Sequence, residues 1–167
     1  QTSRSAAAQV ASGTNSFLFG NGSTAAKTDA IVIGNGCSVT SGASIYGCVV
    51  IGRSSTVTNG TCYVIGDSCS ASGDYSCFVV GYGSSVSGQA AVALGQSCSA
   101  TASYSSARGY SALASRIGQW SYAAGAFAAS GDAQSARFVL RKKTTDATPT
   151  TLMLDGATTR LTIPSGK

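Results

Sequence analysis

Six cysteines and six aspartates, with no histidine and no glutamate, set the chemical repertoire of this chain. The cysteines fall at two spacings only. Cys48, Cys62 and Cys77 each stand four residues before a glycine, and Cys37, Cys69 and Cys98 each stand three after one. Three reactions are open to such a set: disulfide formation, metal ligation, or none, with the thiol serving as a small apolar side chain. Without a Cys-x-x-Cys pair or a histidine, a metal site is the weakest of these, and no metal or other cofactor is expected. At one of the two positions cysteine alternates with Ser and Ala, which favours buried free thiols over bridges. Among the acids, Asp67 and Asp74 are close in sequence but occupy non-equivalent repeat positions, so a paired-carboxylate hydrolase is disfavoured and solvated corners are preferred. With no imidazole to act as a base near neutral pH, no catalytic residue is assigned and the chain is read as non-enzymatic. Gly81-Tyr82-Gly83 looks like the start of a phosphate loop, but glycine recurs there for another reason.

Two further groups could bind rather than react. Tyr104, Tyr110, Trp120 and Tyr122 cluster in sequence and could stack on sugars, although packing is the simpler role for such rings. Arg137, Arg141, Lys142 and Lys143, with Arg160, make residues 137–167 basic. They could bind acidic polysaccharide or lipopolysaccharide phosphate, or keep strand edges soluble, and the second is favoured. Nucleic acid is not expected, because only Phe138 lies near the cluster to stack on bases. No apolar run approaches the length of a membrane span, so membrane insertion is not expected either.

The elements that carry these residues are periodic. Gly20, Gly34, Gly52, Gly66, Gly81, Gly95 and Gly109 are separated by 14, 18, 14, 15, 14 and 14 residues. Apolar triplets precede most of them, among them Ile31-Val32-Ile33, Val49-Val50-Ile51 and Tyr63-Val64-Ile65, and small residues follow. A coil of about 14 residues holds one or two short strands and two tight corners, and stacked coils pair in parallel. Hydroxyls and thiols between the glycines are then in register to bond the next coil. A strand of three consecutive apolar residues needs cover on both faces, and so small a coil covers only one. A second copy of the same stack is the economical cover for the other, and closed symmetry predicts a homotrimer.

The segments Ala30-Ile31-Val32-Ile33-Gly34 and Ala91-Val92-Ala93-Leu94-Gly95, with their trailing Ser and Ala, resemble the YadA-like head repeat. The resemblance covers roughly residues 17–131 and implies a left-handed trimeric β-roll. Two departures stand out. About four residues are inserted around Ser44-Ile45-Tyr46-Gly47, which predicts a loop or short extra turn. Ser106-Ala107-Arg108 replaces an apolar triplet, which predicts that the stack weakens there and becomes irregular through Ala123-Ala124-Gly125.

Beyond Gly131 the pattern changes to alternating segments, Arg137 to Lys142, Thr151 to Asp155 and Thr159 to Ile163, with turn signals at Thr145 to Pro149 and Asp155-Gly156. These predict antiparallel strands, a hairpin or meander capping the stack. The segment is similar to stretches that follow such repeats in bacteriophage tail-fibre and tailspike proteins. The expected fold is therefore all-β: a connector over 1–16, a homotrimeric parallel β-roll or β-solenoid over 17–131, and an antiparallel segment over 132–167 that caps it or links to a further domain. The expected function is a structural segment of a phage tail fibre or virion attachment protein. Its expected partners are itself, other virion tail proteins and a host-surface glycan. The alternatives are the head of a bacterial trimeric adhesin at the cell surface and a glycan-degrading tailspike. Buried free thiols fit virion assembly in a reducing cytoplasm better than export.

Overall fold

The computed structural model describes residues 10–40 and 47–162. Residues 1–9 of the expected connector, the inserted Ser44-Ile45-Tyr46, and Ile163 to Lys167 lie outside the described residues. Each coil supplies a short strand and a long one. In chain order the strands are β1 (Val10–Ala11), β2 (Phe17–Phe19), β3 (Thr24–Ala25), β4 (Ile31–Asn35), β5 (Ser38–Val39), β6 (Val49–Arg53), β7 (Thr56–Val57) and β8 (Cys62–Asp67). They continue as β9 (Ser70–Ala71), β10 (Cys77–Tyr82), β11 (Ser85–Val86), β12 (Val92–Gln96), β13 (Ser99–Ala100), β14 (Ser106–Tyr110), β15 (Leu113–Ala114), β16 (Trp120–Ala124) and β17 (Gln134–Arg137). No helix forms among the described residues.

Odd-numbered strands β1 to β15 pair in parallel into a short-strand sheet, and even-numbered β2 to β16 into a long-strand sheet. The result is an all-β solenoid of about seven turns. Its register follows the glycines, with Gly34 opposite Gly52, Gly66 opposite Gly81 and Gly95 opposite Gly109. β1 already pairs with β3, so stacking begins ahead of the expected first coil.

The two sheets face each other across a thin core. Of each long-strand triplet only the middle residue points inward: Val32, Val50, Val64, Val79, Ala93 and Ala107 are all fully buried. Opposite them the short strands bury Ala25, Val39, Val57, Ala71, Val86, Ala100 and Ala114. The core is Val, Ala and Cys because the two sheets of so small a coil leave no room for larger side chains. Each buried Val contributes about 1.5–2 kcal/mol over its exposed state.

This geometry corrects the reading of Ser106-Ala107-Arg108. The stack does not weaken there, since the inward residue is Ala107 and the two non-apolar residues face outward. β14 pairs in full register with β12 and β16. The coil after it is regular as well, with Ala123 in the place of the repeat glycine.

A second correction concerns the C-terminal segment. The three expected strands over 137–142, 151–155 and 159–163 do not form among the described residues. The antiparallel strand is β17, which pairs with β16 from Trp120 opposite Arg137 to Ala123 opposite Gln134. Farther on, one antiparallel bridge joins Arg141 to Met153. β17 is the terminal strand of the long-strand sheet, and the described residues after it add no further strand to it. At Asp155 the carboxylate accepts the N–H groups of Ala157, Thr158 and Thr159, which turns the chain instead of extending it.

Gln134 closes the other sheet. Its Oε1 accepts the N–H of Leu113 at 2.8 Å and its Nε2 donates to the Leu113 carbonyl at 2.8 Å. One side-chain amide thus stands in for the peptide group of a further coil. Within the last coil Gln119, almost fully buried, accepts from the N–H groups of Ser115 and Arg116 and donates to the Leu113 carbonyl and to Ser121 Oγ.

Candidate functional site

Side chains on the outer face of the long-strand sheet form two columns. The first residues of the triplets are Phe17, Ile31, Val49, Tyr63, Phe78 and Val92; the third are Phe19, Ile33, Ile51, Ile65, Val80 and Leu94. Parallel register stacks each column on itself. Phe17, Phe19, Tyr63 and Ile65 are 53, 57, 42 and 41 % exposed, and Ile31, Ile51 and Phe78 lie close to that range. A continuous apolar stripe therefore covers six coils.

Below Leu94 the stripe ends and its chemistry changes. The next two coils place Ser106 and Arg108, then Trp120 and Tyr122, in the same two columns. β17 brings Arg137 directly opposite Trp120. The Arg108 guanidinium lies 5.1 Å from the centre of the Trp120 ring and that of Arg137 lies 6.0 Å from it. With Tyr122 and Ser135 these three line an open hollow of about 490 Å³.

The structure divides the binding residues proposed from sequence. Trp120, Tyr122 and Arg137 come together in this hollow, joined by Arg108, which sequence reasoning had noted only as a break in the apolar pattern. That break was the available signal, because a cation in an outer column has to be met by something other than an apolar neighbour. Tyr104 and Arg141 line a separate hollow with Ile117, Val139 and Leu154. Tyr110 belongs to a third column, opposite Gln96 and Ala124. Lys142 Nζ donates to the Ala157 carbonyl at 3.1 Å, and Lys143 is exposed.

All six cysteines are free and buried. Cys37, Cys69 and Cys98 alternate with Ser23, Ser55 and Ser84 in one column, and the alternation has a bonding reason. Each serine Oγ accepts the N–H of the cysteine in the next coil at 3.1 Å and donates to a repeat-glycine carbonyl at 2.9 Å. Cys69 and Cys98 Sγ donate to the Gly81 and Gly109 carbonyls at 3.2 Å. Burial pushes the Cys69 and Cys98 thiols up. Cys48, Cys62 and Cys77 form a second column, with Cys62 opposite Cys77. The neighbouring Cys77 thiol and burial push the Cys62 thiol up, and the same pairing lowers Cys77.

The carboxylates are individually engaged. Asp67 pairs with Arg53 and accepts from Ser68, which holds it below the usual carboxylate range, and Asn59 donates to Asp74. Asp132 accepts three backbone N–H groups, those of Phe127, Ala128 and Ala129. Gly81-Tyr82-Gly83 leads into strand β11, so it has no helix N-terminus to aim at a phosphate. Among the described residues no group of three or more ligating side chains is placed to hold a metal ion, and no helix is long and apolar enough to cross a membrane.

Comparison with protein-family models, with curated proteins and with solved structures finds no match to this chain.

Proposed function

We propose that this chain is a non-enzymatic structural segment of a trimeric virion attachment protein of the tail-fibre kind, acting as a rigid support for host-surface binding. The observation that carries the reading is the outer apolar stripe. Six coils of paired Ile, Val, Phe, Tyr and Leu face outward along one sheet, about 24 Å of stack at the usual strand spacing. Contiguous apolar surface of this kind marks an interaction face, and a repeating stripe is best matched by an identical one related by rotation.

Other features agree with the reading. The eight parallel long strands span about 34 Å and every coil is bonded to the next, which makes a stiff rod. Buried free thiols suit assembly in a reducing compartment. β17 pairs with the edge of β16 and Gln134 bonds Leu113 at the end of the short-strand sheet, which is compatible with a C-terminal cap.

The test is the solution mass of the 167-residue chain by light scattering after size exclusion, beside an Ile65→Glu variant. The expected result is three chains for the parent and dissociation for the variant, whose carboxylate would be buried against the partner stripe. A monomeric parent with the stripe exposed refutes the trimer and with it the fibre.

A further inference from the structure

We infer that the hollow below the apolar stripe binds an acidic saccharide, a pyranose bearing a carboxylate. It is formed by Arg108, Trp120, Tyr122, Ser135 and Arg137. The inference rests on the proposed function only for placing that saccharide on a host surface. The site itself is argued from one chain.

Trp120 and Tyr122 stand two residues apart on β16 and project outward, 49 and 57 % exposed. They form a rigid platform, since β16 is hydrogen-bonded on both edges, to β14 and to β17. Arg108 reaches the platform from the coil above and Arg137 from the strand below. Neither guanidinium has a carboxylate partner: among the described residues the ion pair is Arg53 with Asp67, in another column. Arg108 spends its Nε on Ser106 Oγ, and its terminal nitrogens remain available. No acidic residue lines the hollow.

Two guanidiniums without a carboxylate partner, held over the indole of Trp120 and beside the exposed phenol of Tyr122, call for a ligand with an anionic group and an apolar face in one small unit. An acidic pyranose has both. Its C–H face lies on an aromatic ring, and its carboxylate accepts from the guanidinium fork in the two-point geometry that arginine favours. A neutral sugar would leave the arginines without an acceptor, and a bare inorganic anion would leave the rings uncovered. The apolar columns end at Val92 and Leu94, and the hollow continues the same two columns in the next two coils.

Trp120 is the single tryptophan of the chain, so its fluorescence reports on this site alone. The experiment titrates the 167-residue protein at constant ionic strength with oligogalacturonate, a neutral malto-oligosaccharide of equal length, inorganic phosphate and a dinucleotide. The expected result is a saturable change with oligogalacturonate at least about ten-fold tighter than with the other three. Arg108→Gln and Arg137→Gln should each weaken it by roughly ten-fold with an unchanged melting curve. Should either variant melt early, Arg137→Lys keeps the charge, loses the fork, and should still bind several-fold more weakly. The inference is overturned by equal response to phosphate, by equal response to the neutral sugar, by tighter binding of the dinucleotide, or by no saturable response. Light scattering on the same samples separates the two readings: a monomer that binds sinks the trimer alone, and a trimer that does not bind sinks this site alone.

Discussion

Replacing Gly81 by alanine should destabilise the protein by about 3–5 kcal/mol, whereas replacing Gly83 by serine, two residues on, should cost less than about 1 kcal/mol. Gly81 has φ +137°, and a Cβ built there would sit 1.8 Å from the carbonyl oxygen of Gly95 in the next coil. Real Cβ contacts stay beyond 3.0 Å, so the coils must part by 3.0 − 1.8 = 1.2 Å, a quarter of the strand spacing. The backbone conformation costs about 1–3 kcal/mol in an L-residue, and the separation weakens two or three ladder bonds at about 1 kcal/mol each. Alanine returns about 0.4–1 kcal/mol by restricting the unfolded chain. Gly83 also has positive φ, +59°, but its Cβ would meet nothing nearer than Ser97 Oγ at 3.9 Å. Equivalent positions already hold Ser54, Ser68, Ser97 and Ser111, with φ between 51° and 60°. The assay is thermal and denaturant unfolding at matched protein concentration, where 3–5 kcal/mol corresponds to a fall of about 6–20 °C in Tm. A Gly81→Ala protein within about 1 kcal/mol of the parent, or a Gly83→Ser protein as damaged as Gly81→Ala, would show that coil contact is not what selects glycine.

Ser84→Ala should cost about 2–3 kcal/mol in denaturant unfolding, because it leaves the Cys98 N–H and the Gly95 carbonyl without their buried partner. Ser84→Cys should cost about half that, since a thiol can still donate to the carbonyl as Cys69 and Cys98 do. With a thiol reagent the folded protein should react at few or none of its six cysteines within minutes, and the denatured protein at all six; three bridges in a sample prepared without oxidant would contradict the buried-thiol core. Asp132 is held below its ordinary value of 3.8 by the N–H groups of Ala128, Ala129 and Phe127. Its folded value is depressed, so its contribution is complete above 3.8 and is lost as pH falls through the lower folded value. The amide resonances of residues 127–129 should therefore titrate with a midpoint below 3.8, and a midpoint at or above it would remove the carboxylate from that turn.

The C-terminal segment shows where sequence reading failed and why. Phe138-Val139-Leu140 and Leu152-Met153-Leu154 are apolar triplets between polar residues, yet the strand that joins the sheet is Gln134-Ser135-Ala136-Arg137, which has almost no apolar signal. Antiparallel pairing is made by backbone groups and needs a free edge more than particular side chains. The first segment to reach that edge occupied it. Arg108 was misread for a related cause: the triplet rule describes three residues, while only the inward one bears on the core.

Length, glycine spacing and apolar triplets were enough to specify an all-β solenoid with coils of about 14 residues. They were also enough to put the cysteines in two columns, because corner conformation and strand period are local and every coil repeats them. Which residues of a triplet face inward, and which distant side chains meet, depended on register. Arg108, Trp120 and Arg137 lie 12 and 17 residues apart along the chain. They converge because one coil advances only about 4.8 Å along the stack and β17 then runs back against β16. That convergence is a property of translation between coils and of chain reversal, and no short window of sequence contains either.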